Sequence, residues 1–143
     1  MYNPRINWQL IEATRYVSIW FDESLSLFIH QWSNHNQTMG VNFEVFIENA
    51  QVVAKYQVML QPKTVIIDVT GLNITFGSEI QQWTGLHIGE AMHAAGSEYL
   101  VLIKSKDIFT QISIEQLLEE AKEPQFQLRF FNTLTQALNW LDV

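Results

Sequence analysis

The segment Thr64 to Trp83, TVIIDVTGLNITFGSEIQQW, places a carboxylate and three hydroxyls (Asp68, Thr70, Thr75 and Ser78) at and just beyond the end of an apolar, β-branched run. A carboxylate there could move a proton, but general acid–base chemistry needs a partner within hydrogen-bond reach, and the segment holds no His or Lys. Without such a partner, Asp68 reads as an acceptor for loop N–H groups around Gly71, the satisfaction that a carboxylate at the end of an apolar strand requires. Hydroxyls at the start of a helix can accept a phosphate, because free N–H groups and the helix dipole favour an anion there. Ser78 therefore reads in two ways: as a helix N-cap with Glu79 complementing the dipole, or as a modification site with Thr70 and Thr75 beside it. No phosphate-cradling glycine loop, dinucleotide fingerprint or Ser-His-Asp context occurs, so the expected protein is not an enzyme and carries no cofactor.

Farther on, Glu90 stands three residues from both His87 and His93, so either pair can share a helix face. Zinc asks for three or four converging ligands, and the chain has no cysteine to contribute. These histidines, with His30 and His35, read as solvated or core-edge residues, and no metal is expected. Trp83, His87, Met92 and the aromatic early strands have the spacing of ordinary core, or of the wall of a pocket for a small apolar ligand. Glu115, Glu119, Glu120 and Glu123 read as the wet face of a helix. Lys104, Lys106 and Asp107 read as a polar loop.

The elements that must position these residues follow from hydrophobic period. Arg15 to Phe21 and Leu25 to Trp32 are β-prone runs joined by Asp22, Glu23 and Ser24, which predicts an antiparallel hairpin. Alternation in the second run sets Leu25, Leu27 and Ile29 on one face and Phe28, His30 and Trp32 on the other. Asn7 to Ala13 is a weaker third strand. The stretch Ser33 to Gly40, SNHNQTMG, is polar and turn-rich.

From Val41 to Met59 the period becomes helical, with an apolar stripe of Phe43, Phe46, Ile47, Ala50, Val53 and Ala54. Val41, Val45, Val52 and Tyr56 form a second apolar surface, for a neighbouring helix, a partner or a second copy. Val65 to Val69 is a strand, Ser78 to Ala95 a helix stopped by Gly96, and Tyr99 to Ile103 a strand. Ser113 and Gln116 have capping-box spacing, which predicts a helix from Ile114 to Lys122 ending before Pro124. Phe126 to Phe131 is the last strand, and Thr133 with Gln136 opens a final helix. Alternating helices and strands behind a hairpin predict an α/β domain with a mixed sheet and about four helices.

Bulk properties narrow the function. The 143 residues suit one domain, and 48% hydrophobic content supports a sizeable core. Five Trp and nine Phe are a heavy aromatic load, which makes self-association through a homodimer an expectation. A net charge of −7 from 15 acids against 8 bases disfavours nucleic acid and anionic membrane surfaces alike. No apolar stretch approaches the roughly 20 residues that span a bilayer. The start, MYNPRINWQLIE, lacks the basic-then-apolar layout of a secretory signal, so a cytoplasmic protein is expected.

With these elements in place, VIIDVTGLNITF is similar to the strand-and-loop signature of STAS domains, named for sulfate transporters and anti-sigma factor antagonists. The chain resembles, more closely, a group of small STAS-like bacterial proteins through SLFIHQW, EIQQW, YLVLIKSKDIF and the ending FFNTLTQALNWL. The resemblance covers most of the chain after Arg15. It implies a mixed α/β fold and a non-enzymatic regulatory role exercised through protein contact. In the anti-sigma antagonists a serine in an Asp-Ser-Ser-Gly-like loop is phosphorylated by a partner kinase. The corresponding stretch here is Phe76, Gly77, Ser78, Glu79, in which Ser78 alone falls near that position and neither the Asp nor the following Gly is present. The surface so implied is the loop and helix start from Gly71 to Trp83, with the face presented by Val45, Val52 and Tyr56. Binding or carriage of a small apolar ligand is the alternative reading.

Overall fold

A computed structural model describes residues 5–34, 43–72, 77–121 and 126–143, with backbone alone at 120 and 121. The elements are β1 (Gln9–Ala13), β2 (Val17–Asp22), β3 (Leu27–Ser33), α1 (Phe43–Leu60), β4 (Thr64–Gly71), α2 (Ser78–Ala95), β5 (Tyr99–Ile103), α3 (Ile108–Ala121), β6 (Gln127–Phe131) and α4 (Leu134–Leu141). Thr75, His35, Val41, Glu123 and the Pro124 stop lie outside the described residues, as does the side chain of Glu120.

The predicted α/β architecture holds: a six-stranded mixed sheet in the order β1-β2-β3-β4-β5-β6, with four helices. β1, β2 and β3 are antiparallel, and β3 through β6 are parallel. The Asn7 to Ala13 strand is present as β1, with a register shift between Leu10 and Glu12. Each of α1, α2 and α3 carries the chain one strand farther in the same direction. Right-handed crossovers then put all three on one face of the sheet.

Two cores result. The helix-covered face gathers Val17, Ile19, Phe28, Trp32, Val65, Ile67, Leu100 and Leu102 with Phe46, Val53, Met92, Leu117 and Leu118 of the helices. The opposite face gathers Leu27, Ile29, Ile66, Val101 and Ile103 under Ala137 and Leu138 of α4 and Ile6 of the N-terminal segment. The alternation read in β3 is therefore correct, and the strand is covered on both sides.

The turn between β2 and β3 is built on Asp22, whose carboxylate accepts from Asn7 N–H (2.7 Å), Leu25 N–H (3.1 Å) and the Ser24 hydroxyl (2.8 Å). Burial alone would raise its pKa, but these bonds outweigh it and hold Asp22 below the usual carboxylate range. Asn49 of α1 is buried beneath the β1–β2 turn, accepting from the Thr14 hydroxyl and donating to Val45 O at 2.8 Å.

Three helix boundaries illustrate how caps decide. α2 ends as read: Gly96 has φ 68°, and its N–H reaches His93 O at 3.1 Å. α4 opens as read, Thr133 accepting from Gln136 N–H at 3.2 Å. α3 corrects the sequence reading, because it starts at Ile108 and not at Ile114. Asp107 is the group that starts it, its carboxylate accepting from the Thr110 N–H and hydroxyl, both at 2.8 Å. Those bonds hold Asp107 below its ordinary pKa despite an opposing desolvation contribution. Ser113 and Ile114 lie inside the helix and are buried, so the capping-box spacing there was coincidental.

Candidate functional site

The helix-covered face carries a cavity of about 80 Å³ bounded by β3, β4 and β5 below and by α1, α2 and α3 above. Its origin is a shortage of side-chain volume. Ala50 and Ala54 of α1 and Ala91 of α2 stand where larger residues would close the gap over Val65, Ile67, Leu100 and Leu102. Its walls are almost wholly apolar, and among the described residues no Asp, Glu, Lys or Arg lines them.

One side is built from a run of rings in mutual contact. Centroids lie 6.0 Å apart between Phe28 and His30, 6.1 Å between His30 and Trp32, and 5.4 Å between Trp32 and Phe46. The run continues over 6.5 Å from Phe46 to Trp83 and 4.0 Å from Trp83 to His87, the last pair stacked at 20°. The series leads from the buried sheet to half-buried Trp83 and His87 on α2. His87 is fixed in place: its Nδ1–H donates to Trp83 O one helical turn back, at 2.7 Å.

Besides His87, three polar side chains interrupt the apolar wall. His30 is 6% exposed, and its Nδ1 accepts from the Trp32 indole N–H at 2.7 Å. Burial pushes its pKa down to about 3, so the ring is neutral and its proton resides on Nε2. Thr84 is 6% exposed, and among the described residues its hydroxyl has no hydrogen-bond partner. Gln57, 5% exposed, donates from Nε2 to Met92 Sδ at 3.3 Å, a weak acceptor.

The residues singled out from sequence divide between this cavity and other places. Trp83 and His87 line it. Asp68 points to the opposite face of the sheet, in step with Ile66. Its Oδ1 accepts from the Thr70 N–H (3.0 Å) and hydroxyl (2.7 Å), and its Oδ2 from Gln31 Nε2 (3.1 Å). The carboxylate is thus an internal acceptor, as expected: a loop amide beside Gly71, the Thr70 N–H, donates to it, and the Thr70 hydroxyl and Gln31 add to that amide. Gly71 matters for another reason: a Cβ there would come within 3.2 Å of Ser33 Cβ and Trp32 O.

Ser78 does not cap α2. It is the first helical residue, exposed, and the N-cap is Gly77 (φ −69°, ψ 165°) with no side-chain cap bond. The Ser-before-Glu pattern misled because the helix begins one residue earlier than a serine cap requires. Val45 is half-buried. Tyr56 and Val52 are half-buried against the helix-side core, and the Tyr56 hydroxyl lies 3.4 Å from Glu12 Oε1 of β1. Glu90 and His93 are exposed, and among the described residues no group of three His, Asp or Glu converges to hold a metal ion.

Sequence reasoning passed over Thr84, Gln57 and the cavity role of His30. A signal existed for two of them. Gln57 follows Val53 by four residues on the buried stripe of α1, and His30 alternates with Phe28 and Trp32 on an inward face. A polar residue in an apolar stripe marks either an internal bond or a contact with something else. Among the described residues, no helix is long and apolar enough to cross a membrane. The chain matches no model of a known protein family, and no curated protein matches it.

Proposed function

We propose that this protein is a non-enzymatic binding protein for a small, mainly apolar ligand held between the sheet and its three helices. The observation that carries this is the Thr84 hydroxyl, buried and without a protein partner in the wall of an apolar cavity. At roughly 24 cal/mol per Å³, a void of about 80 Å³ left unfilled costs about 2 kcal/mol. An unpaired buried hydroxyl adds about 1–3 kcal/mol. Both costs vanish when a fitting molecule occupies the space. His30 cannot serve as a base here, since its Nδ1 lone pair is taken by the Trp32 N–H and its Nε2 carries the ring's hydrogen.

The test is native mass spectrometry of gently purified protein, followed by titration of small apolar compounds read by tryptophan fluorescence. Trp32 and Trp83 both line the cavity, so occupation changes their emission. Added mass that Ala54→Leu removes supports the reading. A panel of small apolar compounds that leaves both fluorescence and melting temperature unchanged overturns it.

A second reading is the STAS-type regulatory module acting through protein contact, including pairing with a second copy. It is supported by Ile108, Phe109 and Ile112, exposed by 67%, 68% and 47% on the first turns of α3. These residues stand at the carboxyl end of the parallel strands, where the Ser105 hydroxyl donates to Leu72 O at 2.8 Å and ties the β5 and β4 ends together. Phe109→Glu is expected to abolish association measured by light scattering while leaving ligand titrations intact.

A further inference from the structure

We infer that the cavity selects a neutral molecule bearing a hydrogen-bond acceptor oxygen (a ketone, aldehyde, ether or alcohol), set against the Nε2–H of His30 and the hydroxyl of Thr84. The inference rests on the ligand-binding reading above and narrows it to a chemical class.

The first step is the tautomer. An indole N–H can only donate, so the 2.7 Å contact from Trp32 makes His30 Nδ1 an acceptor. The neutral ring then carries its hydrogen on Nε2. His30 lines the cavity, so its wall includes a ring whose second nitrogen can only donate. A donor with no lone pair to offer demands an acceptor.

Thr84 is the second step. The residue is 6% exposed and lines the same cavity, and among the described residues its hydroxyl has no partner. It can donate to the same oxygen or accept from an alcohol, so it tolerates several oxygen functions where His30 tolerates acceptors alone.

Charge is the third step. Among the described residues no Lys, Arg, Asp or Glu lines the wall, so a carboxylate or ammonium would meet no counter-ion from them, and burial of an unpaired charge is costly. The ligand is therefore neutral, with its apolar body against the aliphatic and aromatic walls.

Cyclopentanone and methylenecyclopentane share a shape and differ in C=O against C=CH₂, which makes them the probes. Dissociation constants of both are measured by tryptophan fluorescence on the full chain, for the native protein, Thr84→Val and His30→Phe. The ketone is expected to bind about tenfold more tightly than the hydrocarbon, the worth of one or two net hydrogen bonds. That preference should fall toward unity in Thr84→Val and His30→Phe while the hydrocarbon still binds. Thr84→Val keeps the side-chain shape, so it remains informative if His30→Phe folds poorly. Equal binding of the two probes to the native protein overturns the acceptor rule and leaves the cavity reading standing. A ketone preference that survives both substitutions also overturns it. Failure of both probes to bind removes the ligand-binding reading itself.

Discussion

Protonation of His30 should be the main source of acid sensitivity between pH 7 and pH 5. Its ring is buried, with Nδ1 already occupied by the Trp32 N–H, so adding a proton both charges a desolvated group and sets two donors against each other. With a folded pKa of about 3 against 6.5 when unfolded, the unfolded chain binds the extra proton throughout this window. Because the folded pKa is depressed, stability is fully present above pH 6.5 and declines as the pH falls toward 3. Linkage gives a loss of about 2 kcal/mol on going from pH 7 to pH 5, a sizeable part of the 5–15 kcal/mol typical of a domain. Asp22 and Asp107, held below the usual carboxylate range by their hydrogen bonds, stay ionised across this interval and do not contribute to the signal.

The assay is urea denaturation at half-unit pH steps for the native protein and His30→Phe. The variant starts lower, because the Trp32 N–H loses its acceptor, a deficit of about 1–3 kcal/mol that does not depend on pH. The two stability curves should then converge by about 2 kcal/mol between pH 7 and pH 5. Curves that stay parallel, or a His30 ring that titrates near 6.5 by NMR, would refute the burial argument.

Other expectations follow from single contacts. Asp22→Asn should cost about 1–3 kcal/mol by weakening the three bonds that close the β2–β3 turn, and the depressed pKa means that the native advantage disappears as pH falls below the ordinary carboxylate range; acid titration of both proteins checks it. Gly77→Asp should raise the melting temperature slightly, by a few tenths of a kcal/mol in equivalent stability, since the N-cap has open space for a Cβ and extended backbone dihedrals. Gly96→Ala should lower stability by about 1 kcal/mol, because the left-handed backbone at φ 68° costs a Cβ-bearing alanine more than a glycine. Trp83→Ala should both weaken ligand binding and destabilise the fold by about 3 kcal/mol, measured by chemical denaturation, as this ring packs on Phe46 and His87.

The course of the chain was legible because its signals are periodic and strong. Val65 to Val69 and Tyr99 to Ile103 are short apolar runs bounded by turn residues, and both are central parallel strands buried on each face. Caps were read well where side chain and spacing coincide, as at Thr133, and badly where a carboxylate outside the helix did the work, as at Asp107. The cavity was not legible for a different reason. It arises from what Ala50, Ala54 and Ala91 fail to fill once three helices converge, and a missing volume leaves no periodic trace. Thr84 likewise stands out only when every neighbour has been found unable to bond it.

The strand order β1 through β6, each beside its neighbour in sequence, bears on how the domain comes to be. No pairing waits for a distant segment, so loop closure stays short at each addition and the sheet can grow from its hairpin outward as the chain is synthesised. The ring series from Phe28 to His87 is complete once α2 docks, whereas Ile114, Leu117 and Leu118 of α3 enclose the same space later. An intermediate stopped after β5 would therefore hold the His30 and Thr84 groups in place with the α3 wall still absent, giving a molecule of the right class its widest access during assembly.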